Sequence, residues 1–162
     1  MKPGIGPLCK AIIPLAARLG LTVATAESLT GGMIASSLAA VPGASQVLLG
    51  GIVSYDPRIK RELLGVSQEV IDFPGVVSEP CARQMALGAQ MALGADISVS
   101  ATGLAGPGGG TEQTPVGTVF LGITGLQGPR VQECHFTGSR QAVRKAATLE
   151  ALHMLWEELS QR

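Results

Sequence analysis

Aromatic side chains are scarce in this sequence, at 3% of its 162 residues. Proteins bind single-stranded nucleic acids largely by stacking bases on aromatic rings, and they bind the phosphate backbone through an excess of basic charge. This chain has no such excess, because twelve Lys and Arg residues balance twelve Asp and Glu residues. We therefore expect neither nucleic acid nor an anionic membrane surface as a partner.

Cysteine and histidine are also scarce. The three cysteines, Cys9, Cys81 and Cys134, are far apart and lack CxxC spacing, which disfavours a disulfide framework and a zinc site. The two histidines, His135 and His153, fall on a predicted strand and a predicted helix with no second ligand nearby, so each is interpreted as a surface or core-edge residue. The sequence therefore predicts no metal site and no cofactor.

A long uninterrupted apolar segment is missing as well. The N-terminal stretch MKPGIGPLCKAIIPLAARLG is interrupted by Pro3, Pro7 and Pro14, which fits neither a signal peptide nor a transmembrane helix. We therefore expect a cytoplasmic protein. A content of 46% hydrophobic and 15% charged residues is typical of a single folded domain, here over residues 1–162. The mean hydropathy of +0.34 indicates surface buried between subunits, and hence a homo-oligomer.

What the sequence does contain is an alternation of helical and strand-like segments. Helices are predicted over residues 8–19, 33–40, 57–64, 79–93 and 139–160, and strands over residues 21–26, 47–55, 96–101, 116–124 and 131–136. The connection between the last two strands is short enough for an antiparallel hairpin. The pattern predicts an α/β protein, a layered α/β/α domain with a mixed sheet, a late antiparallel hairpin and a long C-terminal helix.

The turn AESLTGG, residues 26–32, lies between the first predicted strand and the second predicted helix. Ser28 would present its hydroxyl above the carboxyl end of the sheet, where ligands of open α/β sheets gather. The backbone N–H groups of Thr30, Gly31 and Gly32 would lie beside it. The alternative for Ser28 is a plain helix N-cap, a position that favours serine. Glu27 either orients a ligand hydroxyl or is an exposed carboxylate.

Tyr55, the only tyrosine, and Lys60 lie where the second predicted strand gives way to the next helix. Taken singly, the tyrosine is interpreted as a partly buried ring with its hydroxyl in solvent, and the lysine as a solvated surface charge. Taken with Ser28, they indicate a nucleophilic site. A serine nucleophile needs a base, neither histidine is a convincing one, and a desolvated lysine with a lowered pKa can serve. A Ser–Lys pair is a known variant of the catalytic triad.

The stretch ATGLAGPGGGTEQTPVGTVF, residues 101–120, holds six of the chain's 22 glycines. Because glycine lets a backbone approach a ligand closely, the amides of this stretch can cradle an anion or line an oxyanion site, and the alternative is a solvated connector. Arg140 and Arg144, in the last predicted helix, either hold a phosphate or are solvated. The candidate residues in the stretch are Thr102, Gly103, Gly106, Gly108, Gly109 and Gly110.

A series of short sequence blocks follows one order along the chain. The blocks are AESLTGG (26–32), VPGAS (41–45), VSY (53–55) with Lys60, LGV (64–66), VSE (77–79), ATGLAGPGG (101–109), PVGTV (115–119) and GSR (138–140). Together they closely resemble the carboxy-terminal domain of the competence/damage-inducible CinA proteins. The resemblance spans nearly the whole chain, from about Pro7 to Leu159.

The resemblance implies that the chain hydrolyses the carboxamide of nicotinamide mononucleotide, giving nicotinic acid mononucleotide and ammonia for pyridine-nucleotide salvage. It implies that Ser28 is the nucleophile, with Tyr55 and Lys60 beside it, and that no metal is required. The 5′-phosphate would be held by Arg140 and by amides of the glycine loop, residues 101–120. The oxyanion would be bound by backbone N–H groups near Thr30 and Gly31 or by those near Gly103, and which loop binds which group is left open.

Two further expectations come from the resemblance. Family members also occur fused behind a nucleotide-processing domain, so this chain is expected to be the standalone form, and the family's habit agrees with a homo-oligomer. The alternative functions are a non-catalytic pyridine-nucleotide-binding regulatory module and a Ser–Lys peptidase or general amidase.

Overall fold

A five-stranded mixed sheet forms the centre of the computed structural model, which describes residues 1–162. Strand β1 pairs in parallel with β2 and β3, whereas β3 with β4 and β4 with β5 are antiparallel pairs. The predicted mixed sheet and late hairpin are therefore confirmed. The strands are β1 (Val23–Glu27), β2 (Leu48–Val53), β3 (Ile97–Gly103), β4 (Thr118–Thr124) and β5 (Arg130–His135), in the spatial order β2-β1-β3-β4-β5.

Helices cover both faces of this sheet. They are α1 (Ile5–Leu19), α2 (Met33–Ala39), α3 (Pro57–Leu64), α4 (Gln68–Asp72), α5 (Glu79–Leu93) and α6 (Arg140–Ser160). Helices α1, α2 and α6 pack together on one face, and α5 with α3 covers the other, which confirms the α/β/α layers. The sequence did not predict α4, because five residues carry too little periodicity. None of the six helices combines the length and apolarity needed to cross a bilayer.

Two apolar clusters hold the layers together. The larger lies between the sheet and helices α1, α2 and α6. The smaller is centred on Cys81 and Met85 of α5 with Leu64 of α3. Each fully buried aliphatic side chain contributes about 1.5–3 kcal/mol. The predicted apolar face of α6 is buried, apart from a half-buried Trp156, and comprises Val143, Ala147, Leu152, Leu155 and Leu159.

The start of α3 determines where Lys60 lies. Asp56 Oδ1 accepts a hydrogen bond of 2.7 Å from Arg58 N and so caps the helix, and Pro57 occupies its first position. Lys60 and Leu64, four positions apart, are the buried residues of α3. Because residues at this spacing share a helix face, Lys60 is directed inward with the apolar side of the helix.

The carboxyl ends of β1, β2 and β3 lie side by side. Glu27, the last residue of β1, is in register with Val53 and Ala101. Ser28 N donates to Ala101 O at 2.9 Å, and Ser54 N donates to Glu27 O at 2.8 Å. The segments that follow these strands therefore leave the sheet at one edge, where ligands of parallel sheets bind.

Candidate active site

A cavity of about 220 Å³ opens at this edge of the sheet. Its walls are formed by the segments at and after the ends of β1, β2 and β3, by residues 76–77 before α5, and by the first residue of α6. The lining includes most of the residues that the sequence predicted for the site. It consists of Ser28, Leu29, Tyr55, Lys60, Val76, Val77, Thr102, Gly103, Leu104, Ala105, Gly106, Gly108 and Arg140.

Lys60 and Ser28 meet inside the cavity. Lys60 is only 1% exposed, and its Nζ lies 2.9 Å from Ser28 Oγ. The same nitrogen donates to the backbone carbonyls of Ser54 at 2.6 Å and Tyr55 at 3.4 Å. A neutral amine has two N–H groups and one lone pair. The two N–H groups can donate to these two carbonyls, and the lone pair can then accept the hydrogen of the Ser28 hydroxyl. The pair therefore has the partners that a serine nucleophile and its base require.

Burial lowers the pKa of Lys60 below its ordinary value of 10.5, because the surrounding chain excludes the water that would stabilise the ammonium. Cys81 and Asp56 act in the opposite direction with smaller effect. Burial also raises the pKa of Cys81 to about 11, so at neutral pH this sulfur is an uncharged thiol and contributes no negative charge. Desolvation therefore dominates, and it favours the neutral amine that a general base needs.

The Tyr55 side chain turns away from the Ser–Lys pair. Its hydroxyl accepts a hydrogen bond of 2.6 Å from Arg140 Nη2, and Arg140 Nη1 donates to Gly106 O at 2.8 Å. Arg140 thus joins the β2–α3 connection to the glycine loop across the mouth of the cavity. Tyr55 reaches Lys60 only through its backbone carbonyl. A direct proton transfer between Ser28 and Lys60 therefore fits the geometry better than a relay through the phenol.

Glu27 is not part of the cavity wall. Its carboxylate is buried and accepts hydrogen bonds from Ile34 N at 2.8 Å, Ala35 N at 3.0 Å and the Thr25 hydroxyl at 3.1 Å. An acidic side chain here satisfies the first amides of α2 and interacts favourably with the helix dipole. The predicted substrate contact from Glu27 is therefore corrected: the residue is an internal anion that anchors α2.

Thr30, Gly31, Gly32 and Gly109 also lie outside the lining. Gly31 N donates to Ser28 O at 3.0 Å, so this amide is already satisfied. Gly31 and Gly32 have φ of +57° and +101°, a left-handed conformation that favours glycine. Their contribution is to the shape of the turn that carries Ser28.

The glycine loop carries unpaired backbone donors beside the cavity. The N–H groups of Ala105, Gly106 and Gly108 belong to lining residues, and none donates to an acceptor within the chain. Gly106 has φ of +85°, and a Cβ there would lie 2.5 Å from Val116 Cγ1, so only glycine fits. Unpaired amides along a turn are a favourable environment for an anion.

The charge in the cavity is positive and comes from Arg140, because the lining contains no Asp or Glu and burial favours the neutral amine of Lys60. Arg144, the other arginine predicted to hold phosphate, instead donates to the carbonyls of Leu29 at 2.8 Å and Thr30 at 3.3 Å. No three His, Cys, Asp or Glu side chains are close enough together to hold a metal ion. The cavity therefore suits an anionic organic ligand.

The chemistry of the side chains did not allow the apolar residues of the cavity wall to be predicted from the sequence. The Thr102 hydroxyl donates to Val76 O at 2.7 Å and so holds the 76–77 segment against the end of β3. That segment follows the unpredicted α4, and its valines have no chemical signature. The available signal was membership of the quoted sequence blocks, which include Leu29, Val77, Leu104 and Ala105 but not Val76. The missed residues are Leu29, Val76, Val77, Leu104 and Ala105.

Comparison with known proteins identifies the family to which the chain belongs. The chain matches the family model described as the CinA C-terminal domain over residues 7–159. It is 45% identical to a CinA-like protein of Gloeothece citriformis over 141 residues, which are 85% of this chain and 34% of that protein. It is 46% identical to a CinA-like protein of Mycobacterium marinum over 140 residues, 86% of this chain and 33% of that protein. The chain spans about a third of the length of these curated relatives.

Solved structures show the same fold. The chain is similar to the competence/damage inducible protein CihA from Agrobacterium tumefaciens, with a TM-score of 0.93, 40% identity, and coverage of 99% of this chain and 98% of that one. It is also similar to a CinA superfamily protein from Klebsiella pneumoniae, with a TM-score of 0.93, 32% identity, and coverage of 99% and 100%.

Proposed function

Because the chain belongs to the CinA C-terminal domain family, we propose that it is an amidohydrolase that converts nicotinamide mononucleotide into nicotinic acid mononucleotide and ammonia. One observation carries the proposal, the 2.9 Å contact between Lys60 Nζ and Ser28 Oγ in a buried setting. A module that only binds a nucleotide has no need of a desolvated lysine against a serine hydroxyl. Burying an amine costs free energy, so its retention indicates chemistry.

The reaction begins with attack of Ser28 Oγ on the carboxamide carbon. As the C–O bond forms, Lys60 takes the hydroxyl proton, and negative charge collects on the carbonyl oxygen. When the C–N bond breaks, the Lys60 ammonium returns a proton to the leaving nitrogen, and ammonia departs. An acyl-enzyme ester remains on Ser28.

The second half of the reaction restores the enzyme. Lys60, neutral again, takes a proton from a water molecule that attacks the ester carbon, and the proton then passes to Ser28 Oγ as the C–O bond to the serine breaks. The products are a carboxylic acid and the free hydroxyl, so one water is consumed for each ammonia released. One base serves both steps, as in other acyl transfers.

Nicotinamide mononucleotide fits the charge and polarity of the cavity. Its 5′-phosphate would be held by Arg140 together with the unpaired amides of Ala105, Gly106 and Gly108, since charge-assisted hydrogen bonds to phosphate are strong. The apolar wall at Val76 suits the faces of the nicotinamide ring. No acidic side chain in the lining repels the phosphate.

Ammonia release from three substrates tests the proposal. The purified chain is incubated with nicotinamide mononucleotide, free nicotinamide and a peptide amide, with Ser28→Ala as the control. Turnover of the mononucleotide alone is expected. Turnover of free nicotinamide or of the peptide amide points to a general amidase or peptidase. Saturable binding of the mononucleotide without ammonia identifies a regulatory module and overturns the proposal.

A further inference from the structure

The backbone groups of β3 point alternately to its two neighbours in the sheet. Ala101 O accepts from Ser28 N at 2.9 Å, so the odd-numbered residues of β3 bond to the β1 side. Leu104 N donates to Thr118 O at 3.0 Å, so the even-numbered residues bond to β4. Residues two apart in a strand direct their backbone groups the same way. The N–H of Gly103, the last residue of β3, is therefore directed to the β1 side, like the carbonyl of Ala101.

The Gly103 N–H has no acceptor on that side. If the ladder between β1 and β3 continued, this N–H would donate to the carbonyl of Ser28. The chain leaves the sheet after β1, however, and Ser28 O accepts from Gly31 N at 3.0 Å and not from Gly103. An unpaired donor thus faces the backbone of Ser28 across one strand spacing, about 4.8 Å.

This donor lies at the cavity, and the other candidates for the oxyanion do not. Gly103 is half-buried and belongs to the lining. Thr30 is 0% exposed, and neither Thr30 nor Gly31 lies in the lining. The Gly31 N–H is moreover occupied by Ser28 O. Of the two positions that the sequence left open, only the one at Gly103 can meet a substrate.

The sheet holds the Gly103 N–H in place. The next residue, Leu104, is bonded to β4 in both directions, by Leu104 N to Thr118 O at 3.0 Å and by Gly117 N to Leu104 O at 2.8 Å. A Cβ at Gly103 would lie 2.7 Å from Thr118 O and 2.7 Å from Val119 Cγ2, so the approach of the two strands admits only glycine. A donor fixed in this way needs no reorganisation when charge develops beside it.

We propose that the backbone N–H of Gly103 is the donor that stabilises the oxyanion in this enzyme. The inference rests on the proposed function, since it takes Ser28 as the nucleophile. As Ser28 Oγ bonds to the carboxamide carbon, the electron pair of the C=O bond moves onto the oxygen, and the Gly103 N–H donates to that oxygen from the neighbouring strand. Arg140 and the unpaired amides further along the glycine loop are then left to bind the phosphate.

The decisive experiment observes the Gly103 amide while a stable mimic of the tetrahedral intermediate is bound. Pyridine-3-boronic acid is the probe: Ser28 Oγ adds to boron, the hydroxyl proton passes to Lys60, and boron becomes a tetrahedral anion with an oxygen in the oxyanion position. Boron NMR of the wild type and of Ser28→Ala reports the addition.

Nitrogen–proton spectra of the complex then identify the donor. The Gly103 amide proton should shift downfield, and its exchange with solvent should slow about tenfold, as expected for a new hydrogen bond to a charged group. The amide of Gly110, an exposed glycine of the same loop outside the lining, is the control and should change in neither respect. In Ser28→Ala the Gly103 amide should not respond.

Inorganic phosphate separates the oxyanion site from the phosphate site. Titration with phosphate should shift the amides of Gly106 and Gly108 and leave Gly103 in place. If phosphate moved the Gly103 amide as far as the boronate does, this amide would belong to the phosphate site, and the inference would be wrong.

An amide-to-ester exchange measures what the donor contributes. Glycolic acid at position 103, introduced by semisynthesis, replaces the N–H by an oxygen and adds no side chain. Turnover of nicotinamide mononucleotide should fall about 10²- to 10³-fold in kcat, with little change in KM, as for other single oxyanion donors. The same exchange at Gly110 is the matched control and should retain the wild-type kcat.

The outcomes distinguish the inference from the function on which it rests. Addition of the boronate to Ser28 without a response at Gly103 would overturn the donor and leave the nucleophile. No difference in boronate addition between the wild type and Ser28→Ala would overturn both. A protein whose Gly103 amide responds to the boronate but which releases no ammonia from the mononucleotide would overturn the substrate alone, and the donor would stand.

Discussion

Lys60 Nζ lies 2.9 Å from Ser28 Oγ, although 32 positions separate the two residues in the chain. The parallel pairing of β1 with β2 produces this proximity, since it brings the ends of both strands to one edge of the sheet. The cap at Asp56 then starts α3 so that Lys60 faces inward. The hydroxyl and the amine are thus held by the strands and helix around them, and little reorganisation is needed before reaction.

Removing the hydroxyl should abolish activity and spare the fold. Ser28→Ala is expected to lower ammonia release from nicotinamide mononucleotide at least about 10³-fold, as loss of a nucleophile does elsewhere. The melting temperature should change little, because the exchange removes one oxygen at the wall of a cavity. Ser36→Ala, an exposed serine of α2, is the matched control and should retain full activity. Unchanged turnover by Ser28→Ala would exclude the nucleophile role.

The pH dependence of kcat/KM should report the Lys60 amine. Burial lowers its pKa below 10.5, so activity is expected to be full above that lowered value. As the pH falls through it, the amine becomes protonated and kcat/KM declines. Lys60→Met should be at least about 10²-fold less active and should lose this acidic limb. A Lys60→Met variant with a wild-type profile would mean that another group is the base.

The sequence predicted the strands and the longer helices from local signals, and the Ser28–Lys60 pair from the combined chemistry of its members and from the family resemblance. Helix α3 was predicted at its observed bounds because Pro57 starts it and Gly65 ends it, and the structure adds the cap at Asp56. The residues proposed to react were recognisable because serine, lysine and tyrosine carry chemistry whatever their surroundings.

The direction in which a side chain faces was harder to predict. Successive residues at the end of a strand point to opposite sides, so Ser28 faces the cavity while Glu27 faces α2. Sequence alone did not say which of the two would take which side. The partner of Arg144 was equally hidden, because 115 positions separate it from Leu29, whose carbonyl it binds. Contacts of this kind follow from how α6 packs on the turn, and no local pattern encodes them.

Glu27 should matter for stability. Glu27→Gln keeps the size of the side chain but replaces one buried acceptor oxygen, which serves an amide of α2, by an NH₂ donor. A loss of about 1–3 kcal/mol in the free energy of unfolding is expected, from urea denaturation. Glu62→Gln provides the control, since its side chain is 53% exposed and its ion pair with Arg61 is a weak surface contact. Equal stabilities of the two variants would contradict the anchoring role.

Tyr55 and Arg140 should affect substrate binding more than chemistry. The Tyr55 hydroxyl contacts Arg140, and only its backbone carbonyl reaches Lys60, so Tyr55→Phe removes the link to Arg140 and leaves the Ser–Lys pair intact. Tyr55→Phe is expected to raise KM a few-fold and to keep kcat within about threefold, and Arg140→Met to raise KM at least about tenfold with little change in kcat. Steady-state kinetics on nicotinamide mononucleotide measure both. If Tyr55→Phe lost kcat as completely as Lys60→Met, the proton would travel through the phenol, and the direct transfer between Ser28 and Lys60 would be wrong.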